Sequence, residues 1–359
     1  MKKNFKLFSK RENNMILEDN SFNFGFNKLI IDSKFNDILD ELKNINISLP
    51  TVNSNFKQDL NDITFSKNGK LTHDDNGINS FNLNPENGTK FIEKKPIIAY
   101  DESINRFDSL EGTAFFASHS LALLSSTDYI PANYLTFYFY TKSKAIVNRS
   151  KYIKYAENPE VQSKIDYTKD KIKFINNTVI KNSILLIDGP LIAGDAYTYF
   201  INPIIKMTER NIIPVFFVKN SLSDIVISSI ESLKDKYNSD LHWAFKLLKN
   251  GQRSNFFHYT DAVNPKNSKV FCYIKVFNSS PQRIEFHSET FKKYNQIIPD
   301  ILDMIYYQIL VQGDDNNPQV RLIAIAEKYA RATLKLINID KILKKVGITP
   351  TLNQKRFGW

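Results

Sequence analysis

The sequence predicts an α/β fold: a mixed five-stranded sheet with flanking helices, an N-terminal extension, and a C-terminal elaboration of helices and a hairpin. Three observations carry this. The aromatic, β-rich runs TAFFASHSLALL (113–124) and NYLTFYFYTK (133–142) are separated only by a Ser/Asp/Pro loop, the pattern of consecutive antiparallel strands. The continuous apolar runs SILLIDG (183–189) and IIPVFFVKN (212–220) flank a helical segment, which implies parallel strands buried on both faces and joined by a crossover. Hydrophobic residues make up 42% of 359, enough to bury a core, so the chain is not wholly disordered.

Taken in order, residues 1–92 read as an Asn-rich extension. Its segment FNKLIIDSKFNDILDELKNI places Leu29, Ile30, Phe35, Ile38, Leu39 and Leu42 at the spacing of an amphipathic helix. Turn formers then dominate to about Gly88, which predicts long loops with short strands. PIIAYD (96–101) is the first core strand, and the aromatic pair supplies the second and third. A helix interrupted near Pro159 follows over 151–176, then the fourth strand, then a helix over 196–210 kinked at Pro203, then the fifth strand. This order matches the ribonuclease-H-like fold, in which the first strand lies beside the fourth. Beyond Ser221, SDIVISSIESLKDKY and SDLHWAFKLLKNG read as helices, and SKVFCYIKVF with QRIEFHS reads as a hairpin around NSSP. Two closing helices follow, the second with Asn317 as N-cap and Pro318 in the first turn. The predicted core spans 93–340, with a basic tail at 341–359.

Composition excludes some classes of function. No stretch of about 18 apolar residues exists, so no membrane-spanning helix is expected. The basic start lacks the apolar region of a secretory signal. A single cysteine, Cys272, rules out an intramolecular disulfide and a thiolate zinc cluster, and points to a reduced, cytoplasmic setting. The net charge of +10 permits a polyanionic partner.

The chemistry gathers at strand ends. Asp101 closes the first strand and Asp188 the fourth. If those strands are parallel neighbours, both carboxylates emerge at the edge where ligands of open α/β sheets bind. Two carboxylates that close repel unless a cation lies between them. The competing reading is two Asp residues that cap turns, Asp188-Gly189 being a common turn pair. Lys219 ends the fifth strand at the same edge and is placed either to neutralise a phosphate or to hold a carboxylate. Arg283 and Glu285 alternate on one strand and share a face, as an ion pair or with Arg283 on a phosphate. The histidines His73, His119, His242, His258 and His287 form no helical ligand pair; His258 is the loop candidate among them. Lys341, Lys344, Lys345, Lys355 and Arg356 make the C-terminus basic.

The blocks IIAYDES, ILLIDGPLIAG, NIIPVFFVKNSLS, CYIKVFNSSPQRIEF and NPQVRLIAIAEKYAR together resemble the NurA family of DNA-end-processing nucleases. The resemblance implies a ribonuclease-H-like core, DNA cleavage with Mn2+ or Mg2+, a homodimer, and docking on a hexameric HerA-type translocase. It places Asp101 at the Asp of the first DGS motif, Asp188 at the Asp of the DGSL motif, and Lys219 at the lysine closing the next strand. For the acidic residue on the intervening helix, Asp166 is the first candidate, with Glu157 and Glu160 as alternatives. Glu327 stands where the family has the His of an Ala-His pair and is expected to assist at the site, binding metal through oxygen where histidine would use nitrogen, and Asn317-Pro318 lies near the family's tyrosine–proline pair. Glu102 replaces the motif glycine of what should be a tight turn. The expected activity is that of a metal-dependent nuclease on DNA ends, with repair and phage defence both compatible. The rivals are a non-catalytic scaffold that kept the fold and a phosphodiesterase acting on RNA.

Overall fold

The computed structural model describes residues 64–66, 69–74, 77–125, 128–148, 153–192, 198–336, 338–345, 348–349 and 351, all within the unit Thr51–Trp359. The expected N-terminal amphipathic helix and the Lys355-Arg356 pair lie outside the described residues. The elements run β1 (Thr64–Ser66), β2 (Gly69–His73), β3 (Ser80–Asn82), α1 (Pro85–Ile92), β4 (Ile97–Asp108), β5 (Thr113–Ser125), β6 (Asp128–Thr141), α2 (Lys144–Val147) and β7 (Ile153–Tyr155). They continue with α3 (Pro159–Thr178), β8 (Ile184–Asp188), α4 (Thr198–Glu209), β9 (Ile213–Val218), α5 (Ile225–Ser229), α6 (Asp240–Leu247), β10 (Gln252–Ser254) and β11 (Phe257–Asp261). The last are β12 (Ser268–Lys275), β13 (Gln282–His287), α7 (Ser288–Tyr294), α8 (Ile298–Gln312), α9 (Arg321–Leu336) and α10 (Ile339–Lys345).

The described strands form one mixed sheet in the order β1-β2-β11-β12-β13-β9-β8-β4-β5-β6-β7, with β10 joined to both β12 and β3. β4, β5 and β6 are antiparallel, β4 pairs parallel with β8, and β8 pairs parallel with β9. The first core strand therefore lies beside the fourth. The sheet is wider than the five strands expected, thirteen in all, because the β12–β13 hairpin docks on β9 and carries the pairing outward. Part of the Asn-rich segment joins as well, since β2 pairs with β11 and β3 with β10. These pairings join segments about half a chain length apart and leave no local signal.

Side-chain alternation along the central strands sorts residues between two faces. Ile97 and Ala99 of β4, Ile184 and Leu186 of β8, and Val215 and Phe217 of β9 pack under α8 and α9 through Ile301, Ile305, Leu322, Ile323 and Ala326. The intervening residues Ile98, Tyr100, Leu185, Ile187 and Phe216 face the other way, onto Ile175 of α3 and Phe200, Ile201 and Ile204 of α4. Farther along that second face, Phe257, Phe271 and Tyr273 surround the fully buried Trp243 of α6.

Local chemistry sets the helix ends. Asn158 caps α3, accepting from the backbone N–H groups of Glu160 and Val161, with Pro159 as its first residue. The closing helix departs from expectation: α9 begins at Arg321, and Asn317-Pro318 lies in the loop before it. Asp314 captures that loop instead, its Oδ1 accepting from the backbone N–H of both Asn316 and Asn317 at 2.8 Å. The run SDIVISSIESLKDKY is helical only over Ile225–Ser229. Where α1 crosses α8, Gly88 permits close approach: a Cβ there would sit 2.2 Å from the Asp303 carbonyl oxygen. Gly88→Ala is expected to destabilise the protein by roughly 1–3 kcal/mol through this overpacking. Urea denaturation measures it, and an unchanged midpoint would mean the two helices part freely.

Candidate metal centre

The same alternation builds the site. Asp101 and Asp188 each follow one residue after a register pair, Tyr100↔Ile187, so they stand side by side on adjacent parallel strands. By parity both carboxylates take the face covered by α8 and α9. On that face α9 presents Glu327, which follows the buried Ala326 by one residue and Ile323 by one turn. One carboxylate oxygen from each of Asp101, Asp188 and Glu327 lies within 4.8 Å of the others. Lys219, one residue beyond β9 and in phase with Val215 and Phe217, places its Nζ 2.8 Å from Asp188 Oδ2. Arg331 pairs with Glu327 at 2.5 Å from one turn along α9. Gly189 ends the fourth core strand with φ +99°, a conformation open to glycine, and its N–H bonds the Phe217 carbonyl at 2.8 Å.

Asp101 is only 8% exposed. Burial first, and then the Asp188 carboxylate, push its carboxyl up to about 7, with Glu102 and Glu327 adding repulsion against one favourable N–H from Glu102. Three crowded carboxylates with a single lysine at hand form a hard-oxygen donor set short of positive charge. Such a set fits a divalent cation of the Mg2+ or Mn2+ type.

The helix carboxylates lie elsewhere. Asp166 was the expected third member, but α3 covers the opposite face of the sheet, and its carboxylate accepts from Tyr140 Oη at 2.7 Å and Lys154 Nζ at 2.7 Å. Glu157 is exposed beside Tyr155, and Glu160 pairs with Arg106. Glu327 occupies the place assigned to them.

The substitution of Glu102 for glycine has a structural reason: no tight turn exists there. β4 runs straight through to Asp108, and Glu102 points to the α3 face, where Lys171 Nζ lies 3.0 Å from its Oε2. Burial would raise the Glu102 carboxyl, but the Lys171 ammonium together with Tyr100 and His119 outweighs it and holds the group below its usual range. Beside it, Tyr100 Oη and His119 Nδ1 are 2.7 Å apart, and burial lowers His119 to about 4. Directly behind the carboxylate centre, the sheet thus carries a buried ion pair.

Arg283 does not reach the site edge. It is 4% exposed on the second face, and its Nε sits 2.8 Å from Glu285 Oε1. Glu285, fully buried, also pairs with Lys269 at 2.6 Å and accepts from the backbone N–H of Leu191 at 2.8 Å. The ion-pair alternative for Arg283 is the one present, and a phosphate contact is closed to it. His258 faces Asp74 at 2.6 Å from β11, away from the three carboxylates. What sequence reasoning missed is the Glu285 tie to the turn after Asp188. Its one signal was two charges alternating in an otherwise apolar strand.

Residues 177–332 match the model of the NurA domain. Over that stretch, which is under half of the chain, the sequence is similar to the NurA domain. Asp188, Lys219 and Glu327 fall inside the matched residues, and Asp101 precedes them on β4. No curated protein matches the chain. Solved structures with some likeness include the NurA nuclease from Sulfolobus solfataricus, at 11% identity and a TM-score of 0.46, covering 75% of this chain and 88% of that one. A NurA structure with manganese shows 9% identity and a TM-score of 0.39, with coverage of 86% and 97%. An Argonaute from A. aeolicus shows 12% identity and a TM-score of 0.30, covering 65% of this chain and 28% of that one.

Proposed function

We propose that this protein is a divalent-metal-dependent deoxyribonuclease that processes DNA ends, with Asp101, Asp188 and Glu327 holding Mn2+ or Mg2+. The observation that carries the reading is the meeting of three carboxylates and one lysine at the carboxyl edge of the central parallel strands. A bound divalent cation would supply an activated water and offset negative charge at the scissile phosphodiester. Lys219 holds Asp188 in place and offers positive charge to the non-bridging phosphate oxygens. Arg331 restrains Glu327. The excess of basic residues over acidic ones, 48 against 38, suits non-specific contact with the DNA backbone around an acidic centre. A homodimer and a HerA-type hexameric translocase are the proposed partners, on the strength of the similarity to the NurA domain.

The test is a cleavage assay on end-labelled linear single- and double-stranded DNA with Mn2+. Asp101→Ala and Asp188→Ala are each expected to lower the rate by at least about a hundredfold, the scale on which a group acting directly in catalysis contributes. Tight DNA binding without cleavage would favour the scaffold reading, and cleavage confined to RNA would replace DNA as the substrate.

A further inference from the structure

Next to the carboxylate centre lies a polar pocket that the proposed chemistry leaves unused. It has a volume of about 280 Å3 and is bounded by Lys219 and Asn220 after β9, Ser280 in the β12–β13 turn, Gln282 at the start of β13, and Asp315 and Asn317 in the loop before α9. Lys219 belongs to both places, since its Nζ also bonds Asp188. Gln282 shares the strand face of Ile284 and Phe286, is 5% exposed, and its Oε1 accepts no hydrogen bond.

A buried acceptor left unpaired calls for a donor from outside. In a DNA strand the phosphates only accept. The donors are the amino and imino groups of bases and the free hydroxyl at a terminus. Asp315 at the wall also repels phosphate, whereas Lys219 at the other end attracts it. The volume lies at the small end of ligand pockets, so it admits one nucleoside and not a stacked pair or a duplex.

We propose that this pocket receives a single unpaired nucleoside of the DNA strand, with its phosphate directed to Lys219 and its base edge or terminal hydroxyl donating to Gln282. The proposal rests on the nuclease reading for its substrate class. It is tested by binding alone. Thymidine 5′-monophosphate, deoxycytidine 5′-monophosphate and inorganic phosphate are titrated in the presence of Mg2+ into the full chain, and binding is followed by calorimetry. Both nucleotides are expected to bind more tightly than phosphate. Gln282→Met should weaken nucleotide binding about tenfold, the value of one hydrogen bond to a buried acceptor, and leave phosphate binding in place. Ser280→Trp, at an exposed position, should fill the pocket and abolish the nucleotide preference even if the Met variant folds poorly. Nucleotides that bind no better than phosphate, or a preference that survives both substitutions, would overturn the proposal. If the wild-type protein binds nucleotides in this way but cleaves no DNA, the pocket stands and the nuclease reading falls; cleavage without a nucleotide preference gives the reverse.

Discussion

Asp101→Asn is expected to stabilise the metal-free protein at pH 8 while removing DNA cleavage. Burial and the neighbouring carboxylates raise the Asp101 carboxyl from 3.8 to about 7. A carboxyl raised in the folded state binds its proton more tightly there than in the unfolded chain. Its penalty is therefore absent below about pH 4, grows as pH rises through the window from 3.8 to about 7, and is complete above it. A shift of that size corresponds to at most about 4 kcal/mol, so the asparagine variant should gain roughly 1–4 kcal/mol at pH 8 and little at pH 4. The Glu102 N–H that bonds Asp101 Oδ1 at 2.7 Å keeps an acceptor in the variant. Chemical denaturation in a chelator at both pH values measures the difference. Adding Mn2+ should stabilise the wild type more than the variant. If asparagine destabilises the chelated protein at pH 8, the carboxylates do not repel one another as described.

The largest loss of stability is expected from Glu285→Ala. That change leaves Lys269 and Arg283, 3% and 4% exposed, as buried cations without their shared carboxylate, and frees the Leu191 N–H. Breaking a buried pair on one side costs about 3–5 kcal/mol. Glu285→Gln, which retains an acceptor for Leu191, should fall between the wild type and alanine in stability. Denaturation together with hydrogen exchange at the Leu191 amide separates the two effects: global stability reports the stranded cations, and faster local exchange reports a loosened Asp188 turn. A loss under about 1 kcal/mol in the alanine variant would show that the cations find other partners.

The elements that were legible in the sequence are those with a local signature. Period-two patterning and continuous apolar runs marked β4, β5, β6, β8 and β9, and the expected strand-end positions picked out Asp101, Asp188 and Lys219 as neighbours, although Asp101 lies inside β4, where its parallel pairing with β8 stops. What a helix covers is not local. The periodicity of α3 shows an apolar stripe but not which side of the sheet receives it, and so Asp166 was expected with Asp101 and Asp188, whereas α3 packs on the other face. Glu327 needed α9 to fold back over β4 and β5, a contact between distant parts of the chain. The breadth of the sheet was hidden for the same reason: Lys70 finds Thr260 only after the whole intervening chain is made. Glu102 misled because a motif glycine was read as a turn, whereas its strand continues and the side chain serves the opposite face.

The carboxylate centre draws on three stretches of chain, with Asp101 synthesised first, Asp188 well after it and Glu327 much later still. During translation, β4 must wait for β8, and both must wait for α9 before the third carboxylate arrives. Pairings at such separation form slowly. A nascent chain lacking α9 has two of the three oxygens and none of the cover that buries Asp101 against Glu327. The proposed activity therefore arises only once α9 has been made, because a chain that stops before it lacks the third carboxylate.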